Sequence, residues 1–127
     1  MTMPKLLPRV YFQALLLCAP LVIGAQMAHA GEIKVAMKEM KHALRGAIAS
    51  TTMPELARYV AQLEKNAEQA SRQSYRSDQA TYDEGMQKLK QELAVVDQAI
   101  RANDMNEAKQ DLRKIDATRK HYHDLLN

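Results

Sequence analysis

The sequence predicts an all-α protein, an antiparallel up-down-up-down four-helix bundle. No segment alternates apolar and polar residues with a period of two, so no β-strand is expected. Apolar residues instead recur at helical spacing. Within residues 31–127, only Pro54 and the glycines Gly31, Gly46 and Gly85 interrupt a composition that favours helix. Four helices of roughly 18 to 24 residues joined by short loops are expected to pack as neighbouring antiparallel pairs.

The first thirty residues are predicted to be a secretory signal peptide of the bacterial type. Lys5 and Arg9 form a positive start, an apolar run over residues 14–25 follows, and an A-x-A cleavage motif ends at Ala30. An uncleaved membrane anchor is the alternative, but the apolar run is short for a membrane span. We therefore expect export to the periplasm and cleavage after Ala30.

Cleavage would leave a single domain over residues 31–127, with a composition that excludes several classes of protein. Losing Lys5 and Arg9, and no acidic residue, lowers the formal net charge from +3 to +1. This near-neutral domain is not expected to bind nucleic acid. The only cysteine, Cys18, is also lost, so neither a disulfide nor thioether-attached haem is possible. A domain of this size without disulfides gains much stability from a cofactor or partner that fills its core.

The first two helices are predicted on either side of a break at residues 50–55. The first runs from about Glu32 to Ala49, and the second ends at about Arg72. The break combines hydroxyl side chains suited to an N-cap with a proline in the first turn and an acidic residue after it. The residues expected to face the core are Ile33, Met37, Met40, Leu44 and Ala47 in the first helix and Leu56, Val60, Leu63, Ala67 and Ala70 in the second.

The third and fourth helices are predicted after a connecting loop at residues 74–78, with a short turn at residues 102–106 between them. The third should direct Tyr82, Met86, Leu89, Leu93, Val96 and Ile100 inward. The fourth runs almost to the C-terminus, and at about 100° per residue it places Leu112, Ile115, Arg119, Tyr122 and Leu126 in one narrow stripe. His123 lies on the border of this stripe, whereas His121 points nearly the opposite way.

Met37 and His123 are the candidate ligand pair. The first and last helices of such a bundle are adjacent and antiparallel, and at about 1.5 Å of rise per residue these two residues lie within about a turn of the same level. A thioether opposite an imidazole suits haem iron with two axial ligands, and it suits zinc poorly because a zinc site needs more ligands. The alternative is that both residues simply pack in the core.

A second hint comes from small residues at the same end of the bundle. There the second helix and the start of the following loop offer Ala67, Ala70, Ser71 and Ser74. Such residues leave a volume that the other helices cannot obviously fill, and an unfilled volume lowers stability. A flat apolar cofactor would fill it. Equally, small residues could let the helices approach closely.

Other candidates point to less chemistry. Met40 lies at the centre of its stripe and is expected to be core packing, while His42 and His121 are expected on the surface. No acidic pair has the Glu-x-x-His spacing of a di-iron bundle. No nucleophile and base are placed together. We therefore do not expect an enzyme.

The chain resembles the cytochrome b562 family of soluble periplasmic haem proteins. The resemblance covers the whole predicted mature chain and is sharpest in Thr118-Arg-Lys-His-Tyr-His123. The family's axial histidine falls on His123, and its axial methionine falls on Met37. Covalently linked relatives have a cysteine where this chain has Arg119, which fits a haem held without a covalent bond. The family commonly packs a Phe of the third helix on the haem, and Leu89 is the nearest match here.

The resemblance implies a periplasmic one-electron carrier with one non-covalent haem b per chain, its iron bound by Met37 and His123. Met40, Leu89 and Tyr122 would surround the haem, and Arg119 is a candidate partner for a haem propionate. We expect a monomer with an unknown redox partner protein and no attachment to a membrane once the signal is removed. The competing hypothesis is a non-haem periplasmic bundle of the same fold, for instance an interaction or stress-response protein.

Overall fold

Four α-helices account for the fold in the computed structural model, which describes residues 29–127. They are α1 (His29–Ala49), α2 (Met53–Ser71), α3 (Gln79–Arg101) and α4 (Met105–Leu126). No strand occurs within these described residues, and the predicted four-helix bundle is confirmed. The predicted signal peptide falls on residues 1–30, of which 1–28 lie outside the described part. Helix α1 begins at His29, three residues before the predicted start at Glu32.

Side-chain caps define the starts of the last three helices. Thr52, Asp78 and Asp104 each accept a hydrogen bond from the backbone N–H three residues later, at 3.3, 3.1 and 3.0 Å. These bonds satisfy backbone donors that have no partner within the first turn of a helix. Pro54 follows the first cap, where its missing N–H has no cost. The predicted break after α1 therefore has the chemistry that its sequence indicated.

The core follows the predicted apolar stripes. All five residues predicted to face inward from α2 are buried, and so are Met40, Leu44 and Ala47 of α1. Leu89 and Ile100 of α3 were also expected inward, but they are only half-buried at the margin of the core. Small side chains between the larger ones complete the helix contacts, namely Ala36, Ala43, Ala99 and Ala108.

Polar contacts tie neighbouring helices together across the bundle. The Lys109 ammonium of α4 donates to the Ser50 carbonyl just after α1, at 2.6 Å. This contact places a cation at the negative end of the α1 dipole. Thr118 of α4 donates to Glu92 of α3 at 3.0 Å. Helix α1 packs against both α2 and α4, so its N-terminal half lies beside the C-terminal half of α4.

None of the four helices has an apolar stretch long enough to cross a membrane, as judged over residues 29–127.

Candidate functional site

A cavity of about 430 Å³ opens at the end of the bundle where α1 begins and α4 ends. This volume lies within the usual range for small-molecule sites of about 300–1,000 Å³. Helices α1, α3 and α4 supply most of the lining, whereas α2 contributes Leu63 alone and the α2–α3 loop contributes Tyr75. The apolar part of the lining consists of Ile33, Met37, Met40, Leu44, Leu63, Met86, Leu89, Ile115 and Leu126. The cavity is therefore largely apolar, as a flat hydrophobic ligand requires.

All six residues predicted for the site line this one cavity: Met37, Met40, Leu89, Arg119, Tyr122 and His123. Met40 is buried with 6% of its surface exposed, which agrees with its expected packing role. Met37 is half-buried at the edge of the core, so its thioether belongs to the cavity wall rather than to the core interior. The structure thus brings the predicted ligand pair to one cavity from two neighbouring helices.

His123 lies at the mouth of the cavity rather than inside the core. Its side chain is 68% exposed, although it is one of the lining residues. Its Nδ1 is 3.9 Å from a carboxylate oxygen of Asp124, and its backbone carbonyl accepts a hydrogen bond from the Asn127 side chain at 2.7 Å. The stripe pattern placed His123 on the border of the apolar face, and the exposed ring is consistent with that position.

The small residues of α2 do not create the cavity, contrary to one of the two interpretations that the sequence left open. Ala67 and Ala70 are buried, but neither is among the lining residues. Tyr82 of α3 occupies the space beside them, and its hydroxyl donates a hydrogen bond to the Ala70 carbonyl. Burial, and secondarily the charge of Asp83, raises the pKa of Tyr82 to about 12. A large side chain from α3 thus fills this volume, and the open space lies further towards α1 and α4.

Tyr75 closes one end of the cavity. Its hydroxyl donates to the backbone carbonyl of Leu126 at 2.9 Å, which joins the α2–α3 loop to the end of α4. Its ring stands edge-on to Tyr82, with 5.3 Å between the ring centroids. The backbone of Tyr75 is itself held by the Gln79 side chain. The hydrogen bond from Tyr75 to Leu126 fixes the last turn of α4, which carries His123.

Both fully charged side chains in the lining are cations, Lys34 and Arg119. Arg119 donates to Asp116 through Nε at 3.1 Å and through Nη2 at 3.0 Å, and Lys120 pairs with the same carboxylate at 3.2 Å. Burial alone would raise the pKa of Asp116, but the hydrogen bonds from Arg119 and Lys120 outweigh it and hold the pKa below its ordinary value. Lys34 makes no ion pair with a carboxylate of residues 31–127. Because none of these carboxylates neutralises Lys34, its ammonium group can pair with an anionic group of a ligand at the mouth of the cavity.

Tyr122 lies against the backbone of α3 at Gly85. A Cβ at position 85 would be 2.9 Å from Cγ of Tyr122, closer than real side chains pack. Desolvation, and then the neighbouring carboxylates Glu84 and Glu92, raises the pKa of this tyrosine. The missing side chain of Gly85 therefore determines how closely α4 approaches α3 beside His123.

Sequence reasoning missed five residues that line the cavity: Lys34, Tyr75, Gly85, Thr118 and Asn127. Lys34 lies one turn before Met37 on the same face of α1, so helical spacing could have identified it. Tyr75 and Asn127 lie in a loop and at the chain end, where no periodicity indicates direction. In the described part of the chain, no three His, Cys, Asp or Glu side chains are grouped closely enough to hold a metal ion.

The residues present fit a haem on three grounds. The cavity is mainly apolar, a soft thioether and an imidazole belong to one lining, and the cations Lys34 and Arg119 of the same lining could pair with carboxylate groups of the ligand. The sequence profile of the family described as cytochrome b562 matches residues 32–127. Comparisons with curated proteins and with solved structures gave no match.

Proposed function

The chain belongs to the cytochrome b562 family, and on that basis we propose that it is a periplasmic one-electron carrier with haem b held between Met37 and His123. The observation that carries the proposal is the placement of both side chains in the lining of one apolar cavity. Membership in the family supports a b-type haem cytochrome. The ligand pair, the stoichiometry of one haem per chain and the location belong to the proposal.

Each predicted residue has a role that follows from its position. His123 would hold the haem iron through one ring nitrogen, and the exposure of its side chain leaves the other nitrogen open to solvent or to a hydrogen-bond partner. Met37 supplies a soft thioether, which favours ferrous iron and raises the reduction potential. Met40, Leu89 and Tyr122 exclude water from the cavity. When bound, the haem iron supplies the change between ferrous and ferric states.

The cations at the mouth have a separate role. Arg119 and Lys34 are the lining residues suited to bind the propionate groups. Asp116 already occupies two donors of Arg119, so this guanidinium is held in place before a ligand arrives. With Met37 and His123 both holding the iron, no ligand position would remain for oxygen. We therefore propose outer-sphere electron transfer rather than oxygen chemistry.

Ligand substitutions with matched controls test the proposal. The full chain is expressed with its own N-terminal segment, and haem content, visible spectrum and haem affinity are measured. Met37→Ala and His123→Ala should each change the ligand set and weaken haem binding by at least the ~10–100-fold that loss of an outer-shell partner typically costs. Met53→Ala removes another half-buried methionine, and His121→Ala removes an exposed histidine two residues away. Both controls should keep the wild-type spectrum.

Two outcomes contradict the proposal. If Met37→Ala and His123→Ala both leave the iron's spectrum unchanged, haem binds elsewhere and the ligand assignment is wrong. If the wild-type protein is colourless and binds no added haem, the competing non-haem bundle replaces the carrier. In that case Met37 packs at the edge of the core and His123 is a surface residue.

A further inference from the structure

Helix α1 carries a stripe of four cations beside the mouth of the cavity. Lys34, Lys38, Lys41 and Arg45 follow one another at intervals of four, three and four residues, so at about 100° per residue they lie within one narrow face. Lys34 lines the cavity, and the other three extend the face along the bundle. We call these four residues the α1 basic stripe.

The α1 basic stripe is not explained by helix stability. Like charges spaced three or four residues apart on a helix repel one another. None of the four pairs with a carboxylate of residues 31–127. Lys34, Lys38 and Arg45 are exposed, and Lys41 is half-buried. Four uncompensated cations on one face leave a positive surface open to a partner.

Charge is also distributed unevenly between two pairs of helices, with the positive excess on the pair that includes the α1 basic stripe. Helices α1 and α4 together carry nine cations and six carboxylates, a net charge of +3 with histidines neutral. Helices α2 and α3 carry five cations and seven carboxylates, a net charge of −2. The positive pair of helices is also the pair that supplies Met37 and His123. A field arranged in this way orients the molecule as it approaches a charged partner.

We infer that the face formed by α1 and α4 is the docking surface for a redox partner protein whose own surface is rich in Asp and Glu. This inference rests on the proposed electron-carrier function. Complementary charge would bring the exposed edge of the site, at Lys34 and His123, against the partner. The contact would be transient and sensitive to salt, because the stripe is exposed and screened by ions.

An anionic membrane surface fits this face less well. Helices that lie on membranes insert an apolar face beside their cations. The apolar face of α1 is already buried in the bundle, and among the described residues only Val35 of α1 and Leu125 of α4 are exposed large hydrophobic residues on these two helices, at opposite termini of the described chain. The stripe therefore supplies charge without an inserting surface, which suits a protein partner.

The first test compares two double charge reversals in the haem-loaded protein. Lys38→Glu with Arg45→Glu alters the stripe, and Arg58→Glu with Lys65→Glu is the control on α2. Each pair contains one lysine and one arginine seven residues apart, both exposed. The ferrous protein gives one electron to hexacyanoferrate(III), which is anionic, or to tris(phenanthroline)cobalt(III), which is cationic, and becomes ferric as the complex is reduced. The rate constants are measured by stopped flow at low and high salt.

The α1 pair should slow oxidation by the anionic complex about tenfold at low salt, the lower end of the effect of electrostatic steering, and should speed oxidation by the cationic complex. The α2 pair should change both rates far less, and high salt should remove the difference. Equal effects of the two pairs would overturn the docking face, because only net charge would then matter. Lys38→Glu places a carboxylate between Lys34 and Lys41, so loss of folding is not expected to confuse the result.

A second measurement tests the docking surface in protein that contains no haem. Poly-L-glutamate is titrated into isotopically labelled protein, and the shifts in backbone NMR signals should concentrate on α1 and α4. Binding to phosphatidylcholine vesicles containing phosphatidylglycerol, with no response to poly-L-glutamate, would overturn the inference in favour of a membrane surface. Shifts spread evenly over all four helices would also overturn it. Because this titration needs no haem, failed haem binding and failed docking give different results.

Discussion

Gly85 shows how one residue controls the wall of the site. Its backbone lies where the ring of Tyr122 packs against α3, and any side chain there would meet that ring. Tyr122 immediately precedes His123, so a shift of the ring moves the proposed ligand. The helical pattern could not reveal this contact, because a glycine within a helix gives no sign of what lies opposite.

Gly85→Ala should lower the free energy of unfolding by about 1 kcal/mol, since overpacking typically costs about 1–3 kcal/mol and exceeds the gain of up to about 1 kcal/mol in helix propensity. Haem affinity should fall as well. In a Tyr122→Ala background the same substitution should become neutral or stabilising, because no ring remains to clash. Urea unfolding of the four proteins in this cycle gives the coupling energy, and additive effects would contradict the contact.

Tyr75 is the second residue whose role is local and testable. Tyr75→Phe removes the hydrogen bond to Leu126 while keeping the ring. We expect a loss of about 1 kcal/mol, typical for one hydrogen bond, and faster transfer of haem to an acceptor protein because the last turn of α4 is loosened. Tyr59→Phe is the control, since its hydroxyl makes no hydrogen bond within the described residues. An unchanged rate of haem loss in Tyr75→Phe would show that this hydrogen bond does not help to retain haem.

At the scale of elements, the helices were predictable because local chemistry defines them. Thr52, Asp78 and Asp104 cap α2, α3 and α4, and the apolar spacing gives each helix its inner face. What could not be predicted is which polar groups meet between helices. Glu64 of α2 hydrogen bonds to Asp97 of α3, and two acidic residues in separate helices give no sign in sequence that they touch.

The Glu64–Asp97 contact should make stability depend on pH. Desolvation, then the hydrogen bond and charge of Asp97, raises the pKa of Glu64 from 4.5 to about 7, and Arg101 opposes the shift. Between these values the folded state keeps a proton that the unfolded chain has released, so the free energy of unfolding should fall as pH rises through this window.

Glu64→Gln keeps the position neutral, so it should remove this fall and be more stable than wild type above neutral pH. Urea unfolding midpoints measured at about pH 5 and about pH 8 check this expectation. Glu39→Gln, which changes an exposed carboxylate of α1, should follow the wild-type pH dependence. Parallel pH dependence of the wild type and Glu64→Gln would show that the shared proton is absent.

At the scale of the whole molecule, the fold was predicted more completely than the site. Short connections and four amphipathic segments leave little choice of topology, and α1 and α4 are adjacent as expected. The cavity lies at the end predicted from Met37 and His123. The second hint, from the small residues of α2, fails because Tyr82 fills the space beside Ala67 and Ala70. Side-chain length and direction decide which volumes stay open, and periodicity records neither.

The most direct test of the central claim is the visible spectrum of the purified full chain, oxidised and reduced. The proposed Met37 and His123 ligation predicts sharp low-spin haem bands in the reduced form, with one haem per chain. A colourless protein that also fails to bind added haem would contradict the claim. The chain would then share only the four-helix bundle with its family, and not haem binding.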